Sequence, residues 1–253
     1  MIKLFTCFLM MLFLGPATMG QGQDVTLLLR QAQQFETILK DREALQKYTA
    51  VLELQPTNLL ALCKASELSN VIGRREPTRE KQRLFYQRAL LYAERAIKLN
   101  PNYGEANFVM ALAMGRLAQT AGGEKRIDAV RDIKSYAEKA IKFDPDNFKG
   151  YHVLGKWHSE VSSLNSIEKW LVKVTYGGLP PASIDEAIKY YEKSMQLNPS
   201  FLLNYLELAK AFRVKGQEEK SIGLLRTMLN MPSVTTDDNW IKSEGRKLLK
   251  ELE

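Results

Sequence analysis

LELQP (52–56), IKLNP (97–101), IKFDP (141–145) and MQLNP (195–199) are four versions of one string: apolar, polar, apolar, polar, proline. A looser fifth, LNMP, ends at Pro232. Proline has no N–H for the next helical hydrogen bond and disfavours helix in the residue before it, so each string closes a helix. A helical unit that recurs along a chain cannot bury its apolar face alone, and its copies must stack. The expected architecture is an all-α solenoid of helix pairs. Strand signals are almost absent: no sustained period-two run bounded by turn residues appears. Solenoids work mostly by presenting an extended concave surface, so a binding scaffold is expected.

With each proline set at repeat position thirty-two, small residues fall into register. The first unit places Ala32 at eight, Ala44 at twenty and Tyr48 at twenty-four. The third places Ala111 at eight, with Ala137 and Ala140 at twenty-four and twenty-seven. The fourth has Tyr151, Leu154, Gly155, Ala187 and Tyr191 in the matching places, and the fifth Tyr205, Leu208, Ala209 and Phe212. Small side chains let paired helices approach closely, and the aromatics fill the space beside them. This register resembles the tetratricopeptide repeat, of about 34 residues. The resemblance implies a right-handed superhelix of about five repeats over 23–253.

The spacing is uneven. Successive prolines lie 45, 44, 54 and then 33 residues apart, so the first three units carry extra chain, at 71–83, 119–132 and 159–181. The first two segments lengthen a helix or a loop. The third holds a helical pattern, Ile167, Trp170, Leu171 and Val174, before the breaker GGLPP (177–181), and reads as an extra short helix packed on the solenoid edge. Ser183 with Glu186 forms a capping box that restarts the repeat at Ile184. The insertions are either packing decoration or covers folded over the groove.

The front differs from the rest. Lys3 precedes an apolar run at 4–14, broken by Gly15 and Pro16 and followed by small and polar residues, which is a signal-peptide arrangement over 1–22. Cleavage is expected near Gly20 or Gly22, giving an exported, periplasmic chain; an uncleaved membrane anchor is the alternative. Without that segment Cys63 is the single cysteine, so no internal disulfide can form, and it reads as a small core residue among Leu60, Leu62 and Leu68.

No chemistry emerges. His152 and His158 are six apart on one helix and cannot chelate one metal, no cysteine cluster suits zinc, and AGG at 121–123 is a turn rather than a phosphate loop. The carboxylates mostly sit three or four residues from lysines. The chain is expected to be non-enzymatic, with no metal and no cofactor.

The formal charge is +7 over 253 residues, about +6 without Lys3, which favours acidic partners or anionic surfaces. Arg74, Arg75, Arg79, Lys81, Arg83 and Arg88 cluster in and after the first insertion. They form a solvated helix face, or else contact lipid head groups or an acidic protein. Nucleic acid is not expected, since no reading motif is present. The inner wall of such a solenoid comes from the first helix of each repeat. In this phase it carries Arg116, then His152 and Lys156, then Lys210 and Arg213, with Phe108, Leu112 and Leu206 as apolar neighbours. That is a basic and greasy trough for an acidic protein or peptide, unless the insertions or last helix fill it.

Two stretches, HVLGKWHSEVSSLNSIEKW (152–170) and GGLPPASIDEAIKYYEKSMQLNP (177–199), with FVMALAMGRLA (108–118) and the tail 231–252, resemble the regulator of microtubule dynamics family. The resemblance runs over roughly 89–252 and includes the fourth-unit insertion. It implies an α-helical interaction protein with no catalytic residues to carry over. The export-type front departs from that family, and an exported chain would not meet tubulin. Thr235, Thr236, Asp237 and Asp238 supply cap candidates for a last helix, with Ile241, Leu248, Leu249 and Leu252 on its apolar side. The expected protein is a monomeric or weakly self-associating scaffold. The alternative is a membrane-surface tether acting through the basic insertion; an enzyme hidden in a closed pocket is the third reading.

Overall fold

The computed structural model describes residues 18–119 and 123–253, and among them every regular element is an α-helix. The basic start and apolar run, and part of the AGG turn, lie outside the described residues. Five pairs stack in order: α1 (Thr18–Thr37) with α2 (Asp41–Leu54), α3 (Leu59–Arg74) with α4 (Arg79–Leu99), and α5 (Gly104–Ala118) with α6 (Gly123–Phe143). The fourth pair is α7 (Phe148–Ser162) with α9 (Ile184–Leu197), separated in sequence by α8 (Ser166–Tyr176). α10 (Leu202–Val214) pairs with α11 (Glu218–Asn230), and α12 (Asp238–Leu252) packs on the end.

The proline strings end α2, α4, α6 and α9, and polar side chains restart the chain just beyond. Asn58 accepts from the Ala61 N–H at 3.0 Å and Asn147 from that of Gly150 at 2.9 Å, each capping the next first helix. Within pairs, the residues in register are the ones that vanish from solvent: Ala32, Ala44, Tyr48, Ala137, Ala140, Leu154, Ala187, Tyr191, Leu208 and Ala209 are all fully buried. At Gly155 the approach is so close that a Cβ would lie 2.6 Å from the Tyr191 ring. Buried hydroxyls bridge partners, Ser66 donating to Ala89 O and Ser221 to Ala209 O, both at 2.8 Å. Cys63 is 1% exposed, a core residue.

The first two insertions lengthen second helices: α4 and α6 have 21 residues each, against 14 in α2 and α9. The third departs from expectation. α8 exists, but Ile167, Trp170, Leu171 and Val174 are exposed and do not pack on the solenoid. The full capping box belongs to α8, between Asn165 and Glu168, whereas Ser183 accepts from the Glu186 N–H at 3.1 Å and Glu186 turns to Lys189. α12 buries Ile241 and Leu248 as its pattern requires. Its Asp238 folds back onto the N–H groups of Val234 and Thr235, at 2.7 and 2.8 Å, so the run-in is a tight turn.

Candidate functional site on the concave wall

The first helices present a row of paired charges. Lys64 on α3 meets Glu36 on α1 at 2.8 Å, and the Tyr48 hydroxyl donates to the same carboxylate at 2.5 Å. Lys149 on α7 reaches Glu67 on α3 at 2.6 Å, passing α5, whose Glu105 lies 3.4 Å from the same ammonium. A pair that skips a helix forms on the inside of a curve, where successive elements converge. Farther along, Lys156 on α7 and Lys210 on α10 share Glu207, at 2.7 and 2.8 Å, and Glu160 joins Lys156 at 3.3 Å. Burial alone would raise the Glu207 carboxyl, but the two ammonium groups override it and hold it at about 2. Glu67 is likewise lowered: Lys149 and Lys64 outweigh burial.

These pairings revise the trough read from sequence. Lys156 and Lys210 are there, but both pair with Glu207, and Lys156 also with Glu160, so they do not form a bare basic surface. Leu206 is fully buried and belongs to the core. His152 is also a core residue: its Nδ1 lies 3.0 Å from Asn204 Oδ1, and its ring packs between Tyr191 and Phe201. Burial lowers its pKa, which keeps it neutral. His158 is buried too and stacks on Tyr190 at 5.4 Å. Phe108 is 4% exposed, with Lys149 lying 5.0 Å over its ring. Leu112 is partly exposed on the wall, and Arg213 pairs at the rim with Glu251 of α12, at 2.8 Å.

Arg116 alone of the anticipated wall cations keeps an uncommitted head. Its Nε is sequestered from solvent with no hydrogen-bond partner among the described residues, and no described carboxylate pairs with it. Burial, opposed by Tyr86 and reinforced by Arg74, lowers its pKa; Asp237 and Glu160 also act on it, from α12's run-in and α7. The residues missed from sequence are Glu67, Glu105, Lys149 and Glu207. The string LELAK (206–210) does show Glu207 three residues before Lys210, a spacing that pairs charges on a helix.

The basic insertion splits in two. Arg74 pairs with Asp237 and lies 4.4 Å over the Trp240 ring, while Arg75 pairs with Asp41 at 2.5 Å. Arg79, Lys81 and Arg83 are exposed, without ion pairs among the described residues. Thr236 donates to Asp41 at 2.7 Å across 195 residues, so the run-in to α12 joins the start of α2 and the end of α3. The end of the array thus touches its first two pairs directly. Among the described residues, no cluster of histidine, cysteine and carboxylates could hold a metal, and no helix is long and apolar enough to cross a membrane.

Comparisons with known proteins bear on this geometry. A thermophilic TPR protein of Thermus thermophilus superposes with a TM-score of 0.66 at 13% identity, covering 88% of this chain and 99% of that one. Pseudomonas aeruginosa PilF gives 0.52 at 11%, covering 92% and 88%. At such identities the likeness is one of fold. In sequence, the bovine regulator of microtubule dynamics protein 1 is 26% identical over 230 residues, 90% of this chain and 72% of that protein. Mouse regulator of microtubule dynamics protein 3 is 28% identical over 162 residues, 64% of this chain and 34% of that protein. The match to protein 3 thus spans about a third of its length. The family model for regulator of microtubule dynamics protein 1-3 matches residues 28–253, well beyond the stretch from 89 to 252 that carries the quoted motifs. The chain belongs to that family.

Proposed function

We propose that this chain is a non-catalytic interaction scaffold whose concave wall takes a protein or peptide partner bearing an acidic group, in the bacterial periplasm. One observation carries the reading: along a wall whose charges otherwise pair, the partly exposed Arg116 has a buried Nε without a partner and makes no ion pair among the described residues. An unpaired cation in a confined groove is a ready receptor for a carboxylate, because the pairing is made where water screens it least. The tetratricopeptide fold supports it, since stacked helix pairs build extended concave surfaces. The relatives are named for microtubule dynamics, but an exported chain would share their groove and not their polymer.

A photo-crosslinker at Leu112, on the wall, should capture a discrete protein in the native cell, and Arg116→Gln should abolish the capture. The same crosslinker at Leu91, 55% exposed on α4, serves as control. Equal capture from both positions would reject the groove. The setting is tested by the N-terminal mass: a mature start near Gln21 or Gln23 in a soluble exported fraction supports the periplasm, while intact Met1 in a membrane fraction supports the second reading. That reading, a membrane-surface tether acting through the basic insertion, retains Arg79, Lys81 and Arg83, and Arg74 and Arg75 are already engaged.

A further inference from the structure

α8 is the one helix of the described residues that buries no side chain. Ile167 is 71% exposed, Trp170 60%, Leu171 49% and Val174 64%. Spaced three, four and seven residues from Ile167, they form a single stripe along the helix. Val172 and Tyr176, on the opposite side, are the partly buried ones, so the stripe faces directly away from the solenoid. Val172 lines a cleft of about 450 Å³ shared with Val161, Leu164 and the GGLPP loop.

An eleven-residue helix is marginal without packing, and this one is held by its ends. Asn165 accepts from the Glu168 N–H at 2.9 Å while Glu168 accepts from the Asn165 N–H at 2.8 Å. At the other end Gly177 takes a left-handed φ of 76°, which lets Gly177 N–H reach Lys173 O and Gly178 N–H reach Val172 O, both at 3.1 Å. Arg131 of α6 donates to the carbonyls of Tyr176 and Gly178. Polar contacts thus fix the helix and its orientation, and its four large apolar side chains take no part in doing so.

We infer that this stripe seats α8 in the interfacial layer of an anionic membrane, independently of what the groove binds. Two observations select lipid over a second copy of the chain. Eleven residues at about 1.5 Å each make a ridge about 16 Å long, and four side chains bury on the order of 300–400 Å², well below the roughly 800 Å² per partner of a stable protein interface. A convex ridge needs no complementary groove in order to enter a lipid interface, where tryptophan is favoured. The charges on α8 select the anionic surface. Lys173, on the flank of the stripe, has no ion pair among the described residues, whereas Lys169 donates to Ser162 O at 3.0 Å on the side of the cleft and Glu168 accepts from the Asn165 N–H, so Lys173 is the cation of α8 that an anionic surface would meet. The chain as a whole carries +7.

The test uses the full chain with phosphatidylcholine vesicles, with and without phosphatidylserine, and brominated phosphatidylcholine as a quencher of tryptophan emission. Residues 4–14 are common to wild type and variants, so differences between them report α8. Quenching in phosphatidylserine vesicles is expected in the wild type and should fall in Trp170→Phe, and Leu171→Glu should weaken vesicle partition by about tenfold. Both positions are exposed, and an unchanged urea midpoint verifies the fold. Equal quenching of wild type and Trp170→Phe overturns the inference. Equal binding to neutral and anionic vesicles overturns the anionic surface. A dimer that Leu171→Glu converts to monomer, with vesicle partition unaltered, makes a second copy the occupant and overturns the membrane.

Discussion

α12 and α8 are both single helices outside the paired pattern, and both carry an apolar stripe; one stripe is covered and the other is bare. In α12, Ile241 and Leu248 are 3% and 7% exposed, and Gly245 lies so near Met228 that a Cβ would meet its Cε at 2.2 Å. In α8 the corresponding side chains stand in solvent. The difference comes from position in the stack. α12 follows the last second helix, where the array still exposes an unburied face of α10 and α11 for it to cover. α8 is inserted between α7 and α9, which pack directly on one another through Gly155 and Tyr191 and leave no face to cover. An amphipathic pattern says that a face exists; its neighbours determine whether anything lies against it.

That contrast can be broken or sharpened by substitution, read as urea unfolding midpoints at constant slope. Leu248→Ala should cost about 3 kcal/mol, the ordinary penalty for emptying a core leucine site, and a cost below 1 kcal/mol would deny that α12 is a packed cap. Gly155→Ala should cost about 1–3 kcal/mol, because the new methyl must displace the Tyr191 ring; a neutral result would mean that α7 and α9 have room to spare, and that α8's exclusion needs another cause.

Glu207→Gln should cost about 1–2 kcal/mol at neutral pH, the figure being modest because Lys156 and Lys210 are partly solvated. The pH profile gives the sign. With a folded pKa of about 2, below the roughly 4.3 of an unfolded glutamate, Glu207 stabilises fully above pH ~4.3 and loses that contribution as pH falls toward 2. The variant's stability should therefore fall less steeply than the wild type's through that window; parallel profiles would show that the pair contributes nothing. Asp237→Asn, which loosens α12's run-in from Arg74, should cost about 0.5–1 kcal/mol in dilute buffer and less at high salt. A loss independent of salt would mean that packing, and not charge, joins the ends. Leu171→Ala should fall within about 0.5 kcal/mol of wild type, and a cost near that of Leu248→Ala would erase the comparison altogether.

Much of the fold was legible because tetratricopeptide packing is written in local chemistry. Pro56, Pro101, Pro145 and Pro199 mark helix ends whatever the context, and Ala44, Gly155 and Ala187 mark crossings because only small residues fit there. The site was legible in part. Counting along the repeats places Arg116 and Leu112 of α5 where both stay partly exposed, but His152 of α7 and Leu206 of α10, assigned to the same wall by that count, are core. Lys156 and Lys210 look like bare cations in sequence because the carboxylate they share, Glu207, comes between them only when α7 and α10 pack. The partnership of Lys149 with Glu67 spans 82 residues and has no local signature at all.

The sequence by itself determined where the second helices α2, α4, α6 and α9 end, which small residues mark the crossings and that the units must stack, because proline sterics and helical period act within a turn or two of the chain. Only the tertiary structure decided that Glu207 is shared by two lysines while Arg116 has no ion pair among the described residues, that Thr236 meets Asp41 across the array, and that α8's stripe is left exposed. Each of those depends on which distant residue arrives opposite. The curvature accumulated over five stacked pairs sets that, and no single unit encodes it.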